Sequence, residues 1–591
     1  MAGTRSRLAA MLGSLALLAG LAFGGLWLWR TLPPTSGLVG TPEPGPEVAP
    51  TALPAAVPLG SLAGAVVAIL EEPENVRVTP PGFYAAEVSA WRELLVEGGA
   101  RIVGPGDAAA LIVPWGACLG AAQRNLIVRH LSAGGGLVAV GPVGYGGRTC
   151  APTADTLLHS LLGGASQVAR LDERGGSRFA VALGETTLAA GVPPGARLEV
   201  RPAANQFVFR GGDRDVYYGD FVRVPMAAND ERFFDGAIAR SLVGVGRSVV
   251  FGFALTHAEP GWSRDVARRL AANAALWAAG RPVVQLASWP GAARAGVVVA
   301  QDVQTRPENV RNVAAASADR IPVSFFIAGP AAREHEEAVR IAARVGEVGL
   351  RPAAGDRAEA GPEDRRARLL NEGREAVGRA AGAPALGFHS GGGVPDARTL
   401  AAWRAAGGEY VYGTSDVRTA GPEIVPLGRD SVVLIVRATP DDFHYLTVDG
   451  VRDRGELVGR FLADLDLVAE FRGLYVLGTH AHTLGRRDLL PTLVALLDEV
   501  AGDSTLWAGT ATDVARWWRA RASVELTLSA DGREVVVRNG GARPLEGAVL
   551  IADRAGADRA VVRLPSLGPA EQLTVRLEPA GPAQTAPVEE D

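Results

Sequence analysis

Lysine is absent from the 591 residues, so all 59 basic side chains are arginines, a usage that points to a GC-rich genome before it points to chemistry. Aromatics are scarce at 6% against a hydrophobic fraction of 48%, so the cores have to be built mainly from Ala, Val and Leu. No basic field exists: the formal net charge of -5 excludes a general nucleic-acid binder, because phosphates would meet no excess of cations. Cysteine is nearly missing. Cys118 and Cys150 fall in loops after adjacent predicted strands, where a disulfide in an oxidising compartment and two buried thiols both remain open.

What is present begins with one long apolar run. Arg5 and Arg7 precede an uninterrupted stretch from Leu8 to Trp29, which Arg30 closes. About 20 such residues span the hydrocarbon core as a helix, and the leading arginines favour an inside N-terminus. The aromatic flank Trp27-Leu28-Trp29 suits an interfacial anchor. The reading is an uncleaved signal anchor over 1–30 with the bulk of the chain extracytoplasmic, in the periplasm or at the cell surface; a cleaved signal peptide is the competing one. Residues 31–62 are rich in Pro and Gly, without periodicity, and read as a semi-rigid spacer.

At this length two to four domains are expected. From residue 63 to 282 strands such as "AVVAIL", "ALIVPWG", "GLVAVGPVG" and "SVVFGFAL" alternate with helical stretches, which predicts a parallel sheet covered on both faces. The segment "RLEVRPAANQFVFRGGDRDVYYGDFVRV" has β-hairpin character. This α/β domain resembles the flavodoxin-like fold of the glutamine-amidotransferase-like family, in its catalytically silent or carbohydrate-associated branches. "GACLG" around Cys118 mimics that family's nucleophile elbow. The elbow should instead follow "GLVAVGPVG", where Pro142 and Val143 stand; no obvious His-Glu partner pair follows downstream, where His257 stands in "LTHAEPGW", so Cys118 reads as structural.

Residues 283–520 form a second βα series, with strands at "GVVVAQD", "IPVSFFIAG", "GEVGL", "APALGFH", "YVYGT", "SVVLIVRA" and "GLYVLGTHAH". Seven or so parallel strands suggest a (β/α) barrel, complete or not, with reactive groups at the strands' carboxyl ends. Residues 521–580 lose the helical period and read as a small β-sandwich with an Asp-Gly turn. The stretch 581–591 is acidic and reads as a disordered tail.

"GVVVAQD" ends on Asp302. With "IPVSFFIAG", "ARVGEVGLR", "APALGFHSGGG" and "GLYVLGTHAHT" in this order and spacing, residues 290 to 520 resemble the polysaccharide deacetylases of the NodB-homology family. That resemblance implies a carbohydrate amide hydrolase with a divalent metal, usually zinc, held by one Asp and two His. A second Asp would act as base and a late His as acid. The carry-over is incomplete. Asp302 stands between Gln301 and Val303, with Gln304 where some relatives place Glu. Arg351 and Gly355 occupy the expected positions of the two metal-binding histidines, and a guanidinium has no lone pair to offer. His389 and Gly391 replace the third motif, while His480 matches the terminal His.

Two arrangements compete at Asp302. Arg351 can take the vacated cation position as an ion-pair partner, or Asp302, His389, His480 and His482 can form a rewired metal site. Asp302 and His480 are the candidate catalytic residues, and Arg351, His389, Asp416 and His482 the candidate binding residues. No metal ligand is assigned in the first reading, and zinc or another divalent ion is the cofactor in the second. "TPDDFHYL", residues 439–446, reads as an acidic solvated loop, and the paired Trp residues of "ARWWRARA" as packing. The expected role is glycan binding or scaffolding in cell-envelope or exported-polysaccharide metabolism, with the membrane and envelope proteins as further partners. An active deacetylase and a purely structural envelope component are the alternatives.

Overall fold

The structure is a computed structural model that describes residues 57–143, 161, 169–170, 179–201, 206–209, 212–222, 235–353, 363–391, 393, 395–414, 417–554 and 559–577. All belong to one compact unit, Thr51–Asp591. The predicted anchor, most of the spacer and the acidic tail lie outside the described residues. Among the described residues, no helix is long and apolar enough to cross a membrane.

The first part is one mixed sheet. Its strands are β1 (Val66–Ile69), β2 (Arg101–Ile102), β3 (Ala110–Val113) and β4 (Gly136–Val140), then, past the short β5 (Ala169–Arg170), β6 (Phe179–Ala182) and β7 (Arg197–Glu199). After β8 (Phe207–Val208), which pairs with β5, come β9 (Asp213–Tyr218), β10 (Asp235–Val243) and β11 (Gly246–Phe251). The order is β2-β1-β3-β4-β11-β10-β9-β6-β7. The first five are parallel, in the 2-1-3-4-5 arrangement of a doubly wound sheet. Helices Phe83–Glu97, Ala121–Ser132 and Trp262–Ala278 accompany it, and β3 and β4 are buried throughout, as continuous apolar runs require. A Cβ on Gly136 would collide with the Ala278 carbonyl, so this glycine permits the close approach of the last helix. The expected hairpin around residues 197–218 does not form, because β6 pairs with both β7 and β9 and lies between them. Cys118 follows β3 and is disulfide-bonded; Cys150 lies outside the described residues.

The second part is built on β12 (Val283–Leu286), β13 (Ala295–Val303), β14 (Val323–Ala328), β15 (Gly346–Arg351), β16 (Gly387–His389), β17 (Tyr410–Gly413), β18 (Glu423–Leu427), β19 (Asp430–Val436), β20 (Leu474–His480) and β21 (Leu506–Ala508). Seven strands run parallel in the order β20-β13-β14-β15-β16-β17-β19, an eighth parallel strand, β21, pairs with the start of β13 off this path, and β18 adds antiparallel at the edge. The barrel is therefore incomplete: a hairpin stands where a closing parallel strand would be. Alternation sorts the side chains. Val297, Val299 and Val303 face the helices, while Val298, Ala300 and Phe326 face inward with Tyr410 and Tyr412.

One end of this interior is stoppered. Helix Ala511–Ala522 starts at a Thr510–Asp513 capping box, whose reciprocal hydrogen bonds satisfy its first amides. Half-buried Glu347 accepts hydrogen bonds from Ser324 Oγ (2.7 Å), Tyr410 OH (2.9 Å) and Thr512 N (3.1 Å), tying the helix to three strands. Trp518 packs 5.3 Å from fully buried Trp289, so the paired tryptophans do pack rather than face solvent.

The remaining strands are β22 (Val524–Leu528), β23 (Glu534–Asn539), β24 (Val549–Asp553), β25 (Ala560–Arg563) and β26 (Gln572–Arg576). They form two three-stranded antiparallel sheets, β22-β23-β26 and β12-β24-β25. β12, at the start of the second segment, pairs with β24 rather than with the parallel strands. Both sheets share one apolar cluster with Trp289 and the inward face of the barrel.

Candidate functional site

Because the seven strands are parallel, their carboxyl ends converge on one rim. Asp302 is the penultimate residue of β13, and Arg351, His389 and His480 are the last residues of β15, β16 and β20. Register places Asp302 directly beside His480. Asp302, His389 and His480, with Ala300, Gln304, Tyr412 and Arg437, border a cavity of about 120 Å³, room for the end of a ligand rather than for a whole saccharide; Arg351 is not part of its lining and reaches the site through its ion pair with Asp302.

Asp302 is buried, at 7% exposure, and is ringed by three potential cations. Arg351 Nε lies 2.5 Å from Oδ1; His389 Nε2 and His480 Nε2 lie 3.4 and 4.0 Å from Oδ2. Burial pushes the carboxyl up, but the His389 hydrogen bond and the charges of His389, Arg351 and His480 outweigh it and hold Asp302 below its ordinary range. His389 Nδ1 accepts from Gly391 N at 3.2 Å and lies 3.3 Å from Tyr412 O, which orients the ring with Nε2 facing Asp302.

His480 belongs to a second network. Asp442 is fully buried, and its Oδ1 lies 2.7 Å from His480 Nδ1. Oδ2 accepts from His480 N (2.8 Å), Leu484 N (3.1 Å) and the Thr483 hydroxyl. Burial pulls His480 down, yet the Asp442 hydrogen bond and the charges of Asp442, Asp302 and Asp441 raise it above its ordinary value. Asp442 thus fixes the ring and aims Nε2 into the cleft. Next to it Asp441 is paired with Arg437 at 2.5 Å and accepts from His444 N at 2.8 Å. Arg437 fits beneath the strand only because Gly478 has no side chain; a Cβ there would strike its guanidinium.

Residues 439–446 therefore do not form the solvated acidic loop that their polarity suggests. The position of Asp441 and Asp442 in a loop after a strand is legible in the sequence; what the sequence does not reveal is that Asp442 is buried against His480 and Asp441 is paired with Arg437. His482 stands beyond β20, its ring 5.2 Å from that of His480. Burial, then the nearby charge of His480, lowers it. Asp416 lies outside the described residues.

The residues do not fit the metal that the deacetylase resemblance implies. The donors of Asp302, His389, His480 and His482 do not gather into a ligand set; among the described residues, the group whose donor atoms come within 4.8 Å of one another is Asp441, Asp442 and His480. Those carboxylates are already engaged by Arg437, His480, Thr483 and backbone amides. On the Asp302 side the neighbouring cation is a guanidinium.

No family model matches the chain, and no curated protein matches it. Among solved structures it is similar to a putative polysaccharide deacetylase from Mycobacterium smegmatis, with 19% identity, a TM-score of 0.36, and coverage of 41% of this chain and 96% of that one. A probable polysaccharide deacetylase from Pseudomonas aeruginosa PAO1 gives 16%, 0.35, 39% and 93% for the same quantities. A CE4 family pseudoenzyme from Bacillus anthracis gives 14%, 0.27, 37% and 65%.

Proposed function

We propose that the chain is a membrane-anchored, extracytoplasmic protein of the polysaccharide-deacetylase type that engages glycan at its barrel rim without deacetylating it. The observation that carries this reading is Arg351 Nε at 2.5 Å from Asp302 Oδ1. A resident guanidinium neutralises the one carboxylate that a catalytic cation would need, and its repulsion of a second cation is strong in so buried a place. The cleft keeps what recognition requires: hydroxyl, imidazole and carboxylate groups at fixed positions around a recess the size of an acetamide or a sugar edge. The first α/β sheet, read as amidotransferase-like from its sequence, serves as a non-catalytic partner of the barrel.

A second reading is favoured by the Asp442–His480 pair, which holds a histidine in the orientation and basicity of a general acid. In that reading the chain hydrolyses acetamides with a changed ligand set.

Metal analysis of the purified ectodomain, with acetate-release and binding assays on N-acetylated oligosaccharides, separates the two. The expected result is substoichiometric zinc, no acetate, and oligosaccharide binding that weakens in His480→Ala. Stoichiometric zinc with acetate release abolished in His480→Ala overturns the non-catalytic reading. Absence of any oligosaccharide binding overturns both.

A further inference from the structure

A second cavity, about 680 Å³, opens where helix Trp262–Ala278, β12 and β22 meet, and it shares no residue with the rim around Asp302. Three arginines line it: Arg269 on that helix, Arg281 just before β12, and Arg521 near the end of the stopper helix. No Asp or Glu is among its described lining residues.

The partners of these arginines are main-chain carbonyls. Arg269 donates Nε to Ala190 O (2.9 Å) and Nη1 to Pro58 O (3.1 Å). Arg281 donates Nη1 to Ala530 O (2.7 Å) and Nη2 to Ser529 O (3.2 Å), and its buried Nε has no partner among the described residues. Arg521 donates to Ala287 O (2.9 Å) and Leu286 O (3.0 Å) and lies over the Trp518 ring. Glu185 contributes its charge to Arg521 from outside the cavity, where it accepts from Ser288 N and faces Arg472 at 3.6 Å. Burial pulls Arg521 down to about 10 and lowers Arg269 as well.

Carbonyl dipoles orient a guanidinium but do not cancel its charge. Three cations without a facing carboxylate repel one another in a poorly solvated space, and the group that relieves this is an anion. Guanidinium forks suit the paired oxygens of phosphate and carboxylate. The volume falls in the range of small-ligand sites and exceeds what a single inorganic ion needs. We propose that this cavity binds a small polyanion carrying phosphate or carboxylate groups.

The test is calorimetric titration of the full chain with two probes, inorganic pyrophosphate and trigalacturonate. At least one binds, with affinity falling as salt rises from about 50 to about 500 mM. The affinity drops roughly tenfold or more in Arg269→Gln/Arg281→Gln and falls less in Arg281→Lys, which keeps the charge but loses the fork. The probe that binds tells phosphate from carboxylate recognition. Failure of both probes to bind, or equal binding by the double variant, overturns the proposal. If the double variant does not fold, phenylglyoxal labelling of the wild-type chain decides: the bound probe protects Arg269 and Arg281, and unchanged labelling overturns the site.

Discussion

Gln301 and Asp302 are neighbours on β13 and meet opposite fates. Asp302 turns inward to three cationic partners, whereas Gln301 is wholly buried with neither Oε1 nor Nε2 hydrogen-bonded among the described residues. An unsatisfied buried amide costs on the order of 1–3 kcal/mol, so Gln301→Leu is expected to raise unfolding stability by about 1–2 kcal/mol in urea titrations. Arg351→Ala should do the reverse, costing roughly 3 kcal/mol because Asp302 keeps a buried charge, and adding Asp302→Asn should recover most of it in a double-mutant cycle. The pH dependence has two limbs. His480 is raised on folding, so its contribution is full below about 6.5 and is lost as pH climbs through the folded value. Asp302 is lowered, so its contribution is present above about 3.9 and lost as pH falls through the folded value. The stability gap between wild type and His480→Gln should therefore narrow as pH is raised above neutrality; a gap that widens would contradict the Asp442–His480 assignment.

At the scale of elements, edge strand β18 carries its own liability. Glu423 is buried and pushed by desolvation to about 7, with only the charge of Arg418 to lower it. A carboxyl that prefers its proton in the folded state loses stability as pH rises past its unfolded pKa, so Glu423→Gln should stabilise by roughly 3 kcal/mol at pH 8 and by nothing at pH 4. Thermal unfolding at the two pH values checks this. The same strand illustrates what the sequence makes legible. The parallel strands announce themselves as β-branched runs, and the motif spacing brings Arg351 to Asp302 because both sit at the ends of strands one position apart in the sheet from β14. β18 carries Pro426 and is short and edge-bound, so it leaves no alternating signature. Asp442 was equally hidden: burial of a carboxylate by a partner some 40 positions away is a tertiary event, and a run such as "DDFHY" looks polar whatever it touches. Likewise nothing local in the four residues of β12 reveals that their partner is β24.

Across the whole molecule the first sheet and the barrel are joined by main-chain hydrogen bonds, from Arg197 N to Arg418 O (2.8 Å), Ala420 N to Pro194 O (2.8 Å) and Gly184 N to Phe471 O (3.1 Å). Such contacts couple the two parts, and calorimetry of the ectodomain is expected to give one transition instead of two separable ones. The stopper helix and the final sheets share their apolar cluster with the inner barrel wall, so deletion after residue 522 should expose Trp289 and yield a chain that binds hydrophobic dyes or precipitates. The pairing of β12 with β24 also sets a clock. β12 leaves the ribosome early, and its partner follows only after about 270 further residues, a delay of roughly 15–50 s at ordinary synthesis rates. Throughout that interval the newborn barrel is open at its base and has an unpaired apolar strand, so the last segment of the chain acts as the clasp whose arrival licenses the fold, and a chaperone holding this strand is the component whose depletion such a protein would feel first.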